Sequence, residues 1–111
     1  MIDVVINGVK GVFLVDTGSS ITALSNEYAK AANLLSQTSA IIVVNGVGGM
    51  ANARITTVDD AKVGTFSISR FDVAVMEEPS ALLRYDGLIG MNILSRFKVK
   101  IEANLLELSI R

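Results

Sequence analysis

The stretch Phe13–Ser20 constrains this chain most, because an apolar run ends there abruptly in an acid, a hydroxyl residue and a glycine. Apolar and β-branched runs favour a buried strand, so we expect Asp16 at a strand end. Gly18 permits a tight turn that brings backbone close to a reacting group. The hydroxyl groups of Thr17 and Ser19 can orient carboxylate oxygens. The pattern therefore predicts a carboxylate held for chemistry at the end of a strand.

A carboxyl in such a position can work together with a second carboxyl. Apolar surroundings and a nearby like charge let two carboxyls share one proton, and such a pair acts as base and acid together. The alternative interpretation is an ordinary turn, because Asp, Thr and Gly are all common turn or cap residues.

A second element near the end of the chain favours the catalytic interpretation. The Leu88-Ile89-Gly90 sequence pairs two apolar residues with a glycine, after an intervening glycine-rich segment. Together with Asp-Thr-Gly, this order resembles the retropepsin-like and pepsin-like aspartic proteases. In that family a flap hairpin follows the catalytic loop, and a hydrophobic-hydrophobic-glycine strand then threads under the loop. The resemblance covers roughly residues 2 to 110.

The resemblance implies roles for individual residues. Asp16 would be the catalytic aspartate, Thr17 would hydrogen-bond across the dyad, and Ser19 would steady the outer carboxylate oxygen. Gly18 would complete this dyad-supporting loop, and the Leu88-Ile89-Gly90 strand would lie beneath it. Because a hydroxyl that stabilises the charged carboxylate favours its ionised form, we expect maximal activity below neutral pH.

A glycine-rich segment between two apolar runs predicts a long hairpin. Ala40–Val44 and Ala53–Val58 are apolar or β-branched, and the segment between them contains three glycines. By resemblance this hairpin is the flap that closes over substrate, although Asn45 stands where pepsins have tyrosine, so its hydrogen bonds to the dyad are expected to differ. A plain structural hairpin stays open as the alternative. The predicted substrate-binding residues are Gly46, Val47, Gly48, Gly49 and Met50.

The same glycines also match a dinucleotide-binding turn, because Gly46–Ala51 spells GxGxxA. That turn needs a helix directly afterwards and an acidic residue about twenty positions on. Here the β-branched run Ile55–Val58 follows, and Asp59 and Asp60 come too early. The sequence therefore favours the hairpin over a nucleotide site.

Two other acidic positions could carry chemistry. Asp59 and Asp60 are adjacent, and neighbouring side chains on a strand point to opposite faces, which favours a solvated turn over a metal site. Asp86 could supply a second acid within one chain. We favour a turn or strand-end role for Asp86, because the resemblance places the catalytic acid in the Asp-Thr-Gly loop.

The single Asp-Thr-Gly sequence predicts a homodimer. The 111 residues suffice for one domain, spanning 1–111. Pepsins fuse two lobes that each carry the motif, whereas retropepsins pair two single lobes, so a twofold axis would bring Asp16 beside Asp16 of a second copy. Half of the residues are hydrophobic, an excess that a buried interface would absorb. Met91 stands where retroviral enzymes carry a bracing arginine, so the dimer contacts must differ.

Composition excludes several other classes. Without cysteine or histidine there is no disulfide framework, thiolate zinc site or Ser-His-Asp triad. A net charge of −1 without a basic cluster argues against nucleic-acid binding and against direct membrane contact. The apolar stretches are too short to span a bilayer. No metal or organic cofactor is expected. The chain starts within a strand pattern, typical of a compact protein or of a soluble domain from a longer or membrane-anchored parent, so localisation stays open.

The complete pattern predicts an all-β, closed acid-protease barrel with a flap hairpin and one or two short helices. The predicted function is an aspartic endopeptidase that cleaves peptide or protein substrates by activating water. The alternative is a catalytically silent module of the same fold that dimerises or binds peptides. The remaining predicted elements are strands at 2–6, 12–15, 66–75, 99–101 and 105–108, and helices at 26–34 and 92–97.

Overall fold

The computed structural model describes residues 1–34, 40–46, 49–77, 85–102 and 105–110. In those ranges strands dominate, and the two helices are short. The strands are β1 (Ile2–Ile6), β2 (Val9–Val15), β3 (Thr22–Leu24), β4 (Ala40–Gly46), β5 (Gly49–Val63), β6 (Phe66–Met76), β7 (Gly87–Ile89), β8 (Phe97–Glu102) and β9 (Leu105–Ile110). The helices are α1 (Asn26–Ala31) and α2 (Met91–Leu94).

Six strands close into a barrel in the order β1-β2-β7-β3-β6-β5, because β1 pairs with β5 as well as with β2. Strand β4 adds to the outer edge of β5, and β8 pairs with β9 in a separate two-stranded sheet. The predicted all-β barrel with short helices is confirmed. Closure removes the exposed edges that an open sheet of these strands would leave.

The β1–β2 hairpin delivers the Asp16 loop, and the Asn7-Gly8 sequence forms its turn. Asn7 and Gly8 have φ of 52° and 81°, as a tight turn matching the twist of the strands requires. The side-chain amide of Asn7 donates through Nδ2 to the Ala32 carbonyl at 2.7 Å, which ties the turn to the end of α1. The sequence therefore determines this hairpin locally.

Tyr28 on α1 holds the same hairpin from inside. Its ring packs edge-on against the Phe13 ring, with the two ring centroids 5.4 Å apart. Its hydroxyl donates to the Val9 carbonyl at 2.6 Å and accepts from the Ile6 backbone amide at 3.2 Å. Burial raises the pKa of Tyr28 to about 12. Ser25 caps α1, with its hydroxyl accepting from the Tyr28 amide at 3.1 Å. The prediction of a helix to residue 34 was wrong, because Asn33 is left-handed, with φ of 60°.

Within β5 and β6 the alternation of inward and outward side chains shifts by one residue. The β5–β6 hairpin bends around the core at this point. Val58 and Ala61 both face the core although they are three residues apart, and so do Ile68 and Phe71. In a regular strand such residues would lie on opposite faces. Arg70 supplies the irregularity, because its φ is 50°. The two strands thus keep apolar side chains in the core on both sides of the irregularity.

The prediction of a turn at Asp59 and Asp60 was wrong, because the strand continues through this irregularity. Strand β5 runs through both residues, and both are exposed because the phase changes there. The strand predicted at 2–6 is found with the same bounds, and the other predicted strands are found with longer bounds. Helix α2 begins one residue earlier than predicted and ends at Leu94, so that Phe97 starts β8.

Candidate active site

Asp16 lies directly after β2, next to the Leu88-Ile89-Gly90 sequence. Strand β2 runs parallel to β7, with Phe13 opposite Gly87 and Val15 opposite Ile89. The Asp16 amide donates to the Ile89 carbonyl at 3.0 Å, continuing the ladder past the strand end. The structure therefore brings together the two motifs that are more than seventy residues apart in the sequence.

Backbone hydrogen bonds shape the loop around the Asp16 carboxylate. The Gly18 amide donates to Asp16 Oδ1 at 2.9 Å, and the Ser19 amide donates to the Asp16 carbonyl at 3.2 Å. A side-chain oxygen that accepts from the amide two residues on is a tight local turn typical of aspartate. Asp16 is half-buried, whereas Thr17 and Gly18 are exposed. The carboxylate is thus held in a fixed orientation and stays accessible to solvent.

Gly90 lets α2 approach the loop from below. The Met91 amide donates to the Ser19 carbonyl at 2.7 Å, and the Asn92 amide donates to the Ser20 carbonyl at 3.1 Å. A Cβ atom on Gly90 would lie 2.4 Å from the carbonyl oxygen of Ile21, closer than side-chain and backbone atoms can approach. The glycine of the second motif is therefore required by this close contact.

The two hydroxyl residues of the loop do not contact the Asp16 carboxylate within the chain. The Ser19 hydroxyl donates to the Ile21 carbonyl at 2.7 Å and so stabilises the loop backbone. The exposed Thr17 hydroxyl makes no hydrogen bond with any described residue, which leaves it available to a second molecule. The dyad-supporting roles of both residues stay predictions.

A polar pair, the buried Thr22 and the partly buried Asn92, was missed by the sequence reasoning. Asn92 Oδ1 accepts from both the amide and the hydroxyl of Thr22, each at 2.8 Å, and the Gly90 amide donates to the Thr22 hydroxyl at 3.1 Å. The side-chain nitrogen of Asn92, Nδ2, donates to the backbone carbonyl of Asp72 at 2.7 Å. These bonds join β3, β6 and α2 beneath the loop. The signal in the sequence was a single threonine within the apolar segment 21–24.

Asp86 lies at the opposite end of the parallel pair from Asp16. Its side chain accepts from the Val12 amide at 2.8 Å, and its own amide donates to the Val12 carbonyl at 3.0 Å. It is level with Val12, four residues before Asp16, so the backbones of Asp86 and Asp16 are separated by about 13 Å along the strands. Asp86 is a strand-end residue and cannot share a proton with Asp16.

The β4–β5 hairpin rises beside this site. Asn45 pairs with Met50 and Gly46 pairs with Gly49, while the predicted residues Val47 and Gly48 lie outside the described residues. The alternative of a dinucleotide-binding turn is excluded, because the GxGxxA sequence continues into β5 and not into a helix.

An apolar patch covers the outer face of the sheet between the loop and the base of this hairpin. Alternation along β2 places Leu14 on the same face as Asp16. Cross-strand pairing then connects Leu14 to Leu88, Leu88 to Ala23, Ala23 to Ala74, and Ala74 to Ile55. The patch consists of the buried residues Ala23, Ala53, Ala74, Met76 and Leu88 with the partly buried Leu14, Ile21 and Ile55 packed against them.

The described residues contain no group of three or more acidic side chains placed to hold a metal ion. No helix within the described ranges is long and apolar enough to cross a membrane.

Comparisons with known proteins agree with this geometry. The family model for aspartyl proteases matches residues 2–93. Among solved structures, the chain is similar to a retropepsin-like aspartic protease from Rickettsia conorii, with 28% identity and a TM-score of 0.75 over 96% of this chain and 79% of that one. A search of the curated proteins found no match. The resemblance stated from the sequence is thereby confirmed.

Proposed function

We propose, from the premise that this chain belongs to the aspartyl protease family, that it is an aspartic endopeptidase that acts as a homodimer. Each subunit would contribute one Asp16 to a shared dyad. The observation that carries the proposal is the Asp16 carboxylate, fixed by backbone bonds at a strand end. Its Oδ2 has no hydrogen-bond partner among the described residues. One face of the carboxylate is thus free to meet a second carboxyl and a water.

The position of the other acids supports a dimer as the source of the second carboxyl. Asp86 is held about 13 Å away by its bonds to Val12. Asp72 is on β6, and its Oδ1 already accepts a hydrogen bond from the Thr57 hydroxyl at 2.8 Å. A twofold axis next to Asp16 would supply an identical carboxyl with the required geometry. The exposed Thr17 hydroxyl would then be placed to hydrogen-bond across the axis.

The dyad would begin the reaction with one proton shared between two carboxyls. The charged carboxylate takes a proton from a water as the water oxygen attacks the peptide carbonyl carbon. The protonated carboxyl gives its proton to the carbonyl oxygen, which yields a neutral tetrahedral intermediate. Collapse breaks the C–N bond, the dyad protonates the leaving nitrogen, and it recovers a proton from one intermediate hydroxyl. The dyad ends with the single proton that it started with.

The apolar patch and the hairpin together would hold an extended peptide. Leu14 and Ile55 are partly exposed members of the apolar patch, so we assign apolar side chains of the substrate to this patch. Backbone groups near the hairpin tip would add hydrogen bonds to the substrate, as in strand addition. The proposed flap residues are Gly46, Val47, Gly48, Gly49 and Met50, and the proposed supporting strand is Leu88, Ile89 and Gly90.

Activity should be greatest at acidic pH because the dyad needs one retained proton. Within one chain the Ser19 hydroxyl donates to the Ile21 carbonyl, and its role beside the Asp16 carboxylate stays a prediction. The expected acidic optimum therefore depends on proton sharing between two like charges.

The direct test is cleavage of an unfolded protein at acidic pH by the wild type and by Asp16→Asn. We expect the substitution to reduce cleavage by at least about a thousandfold, because neither proton transfer can proceed. Asp86→Asn is the matched control, and it should keep its cleavage activity wherever the protein stays folded. Equal cleavage by the wild type and Asp16→Asn would refute the catalytic role of Asp16.

The second candidate is a module of this fold that dimerises or binds peptides without turnover. Two observations favour it: the Ser19 hydroxyl is committed to Ile21, and Met91 replaces a bracing arginine of the retroviral relatives while remaining 38% exposed. Asp16→Ala separates the candidates. A binding module should keep both its dimer and its peptide affinity in this variant, whereas a protease should lose cleavage entirely.

A further inference from the structure

A second concave site lies next to the Asp16 loop. A cavity of about 540 Å³ opens between the loop, β5, β6 and α2. Its wall includes Ser20 and Ile21 from the loop, Thr57 from β5, Arg70 and Asp72 from β6, and Arg96 after α2. We refer to this cavity as the arginine groove.

The backbone of β6 presents Arg70 to the groove. Arg70 is left-handed with φ of 50°, and it is exposed together with its neighbour Ser69. A regular strand would have turned one of these two side chains inward. The Arg70 guanidinium makes no hydrogen bond or ion pair with any described residue. A free guanidinium in a concave wall is suited to bind a carboxylate through two parallel hydrogen bonds.

Arg96 fixes the backbone that carries Arg70 and adds a second positive charge. Its Nη1 donates to the Ser69 carbonyl at 2.7 Å, and its Nη2 donates to the Arg70 carbonyl at 3.0 Å. Asp72 brings one negative charge to the groove, and its Oδ1 is occupied by the Thr57 hydroxyl at 2.8 Å. Two arginines against one aspartate leave the groove wall with a net positive charge, which favours an anionic ligand.

The arginine groove is continuous with the apolar patch beside Asp16. Ile21 lines the groove and also packs against the patch. Ser20, another residue of the wall, is only four positions after Asp16. A peptide that crosses the patch in an extended conformation would therefore reach the groove a few residues from its scissile bond.

We propose that the arginine groove binds an acidic side chain of the peptide substrate, with Arg70 as the residue that pairs with its carboxylate. This inference rests on the proposed peptidase function and adds a substrate class to it: apolar residues at the scissile bond with an acidic residue further along the chain. Exposed ion pairs contribute little free energy, so the acidic residue should improve binding affinity on the order of threefold to fivefold.

Binding can be measured without turnover by using the Asp16→Asn protein and fluorescently labelled peptides. The peptides share an apolar centre and neutral flanks, and a single glutamate replaces glutamine at one flanking position after another. We expect one position, or two adjacent ones, to bind tighter than the all-glutamine peptide. Arg70→Gln should abolish that preference. Lys62→Gln is the matched control, because it removes the same charge from an exposed position of β5 outside the groove and should leave the preference intact.

A charge reversal provides an independent variant. Arg70→Glu should bind best a peptide with lysine at the position where the parent protein prefers glutamate. The inference is overturned if no glutamate position binds tighter than the all-glutamine peptide, which we call a flat scan. It is also overturned if the preference for glutamate survives Arg70→Gln. Wild-type cleavage of the all-glutamine peptide separates the two levels of the proposal: cleavage with a flat scan refutes only the groove, whereas peptides that are neither bound nor cleaved refute the peptidase function as well.

Discussion

The Asp16 loop and the β4–β5 hairpin flank the same apolar patch, yet they are held in very different ways. The loop is bonded to β7 through Ile89 and to α2 through Ser19 and Ser20, and glycine allows the closest of these contacts. Strand β5 pairs with β6 only as far as Ala53, and from there to the tip its strand partner is β4. Among the described strands, β4 has no second neighbour.

This difference indicates that one wall of the site is fixed and the other can adjust. A fixed carboxylate suits a reaction in which proton positions must be held before the substrate arrives. A two-stranded projection has fewer contacts than the loop, so we expect it to adjust more easily, as the proposed flap role requires. At its base the projection is still tied down, by an Arg54–Glu77 ion pair at 3.0 Å and by a Glu77 amide bond to the Asn52 carbonyl at 3.2 Å. The following predictions test this division.

Gly90→Ala should have the largest effect on the fixed wall. The added methyl group would lie 2.4 Å from the Ile21 carbonyl oxygen, so α2 and the loop must move apart. We expect a loss of about 3 kcal/mol in unfolding free energy and a large loss of activity. Gly8→Ala is the control for backbone strain alone, because Gly8 has φ of 81° with open space around its Cβ position, and it should cost about 1 kcal/mol. Equal costs in urea denaturation would contradict the close-contact argument.

Asn92→Ala should weaken the support beneath the loop. The substitution removes an acceptor from the Thr22 amide and hydroxyl and a donor to the Asp72 carbonyl. Leaving buried polar groups without partners should cost about 2 kcal/mol. If the network positions the loop, kcat should fall at temperatures where the protein remains folded, while KM changes little. An unchanged kcat would restrict Asn92 to a purely structural role.

Tyr28→Phe tests the support of the hairpin that delivers Asp16. The lost hydroxyl leaves the Ile6 amide and the Val9 carbonyl without their partner, which should cost about 1.5 kcal/mol at neutral pH. Because burial raises the pKa of Tyr28 from 10.0 to about 12, its neutral form stabilises the fold fully below pH 10, and that stability is lost as pH rises to 12. Denaturation across this range should show a steeper decline for the wild type than for the variant. Parallel declines would mean that Tyr28 does not cause the dependence.

Ile55→Ala should have the smallest effect, because it alters the substrate-facing surface near the hairpin base. Ile55 is only partly buried against the patch. We expect a loss of stability of about 1 kcal/mol and a decrease of roughly threefold to tenfold in kcat/KM for substrates with large apolar residues. Substrates with small residues at the same positions should be affected less. A uniform decrease for all substrates would argue against contact between Ile55 and the substrate.

The parts of this molecule that could be predicted from sequence are those governed by neighbouring residues. The Asn7-Gly8 turn, the Ser25 cap and the strand end at Asp16 each follow from a short local pattern. The pairing of the Asp16 loop with Leu88-Ile89-Gly90 was expected only because the order of motifs resembles a known family.

The features that were missed depend on contacts between distant segments. The bonds between Thr22 and Asn92 join residues seventy positions apart, and neither residue type indicates its partner. The continuation of β5 through Asp59 and Asp60 depends on the left-handed Arg70 in the facing strand, an uncommon conformation for a residue other than glycine. The hydroxyl of Ser19 had several possible acceptors, and the geometry of the folded loop selects the Ile21 carbonyl.

The central claim is that two copies of Asp16 form one active site, and mixing wild type with Asp16→Asn tests it most directly. Total protein is held constant, the two forms are allowed to exchange subunits, and cleavage is measured as the wild-type fraction is lowered. A shared dyad predicts that the rate falls as the square of the wild-type fraction, because mixed dimers carry only one competent carboxyl. A rate that falls in direct proportion to that fraction would show that a single chain is sufficient, and would contradict the account.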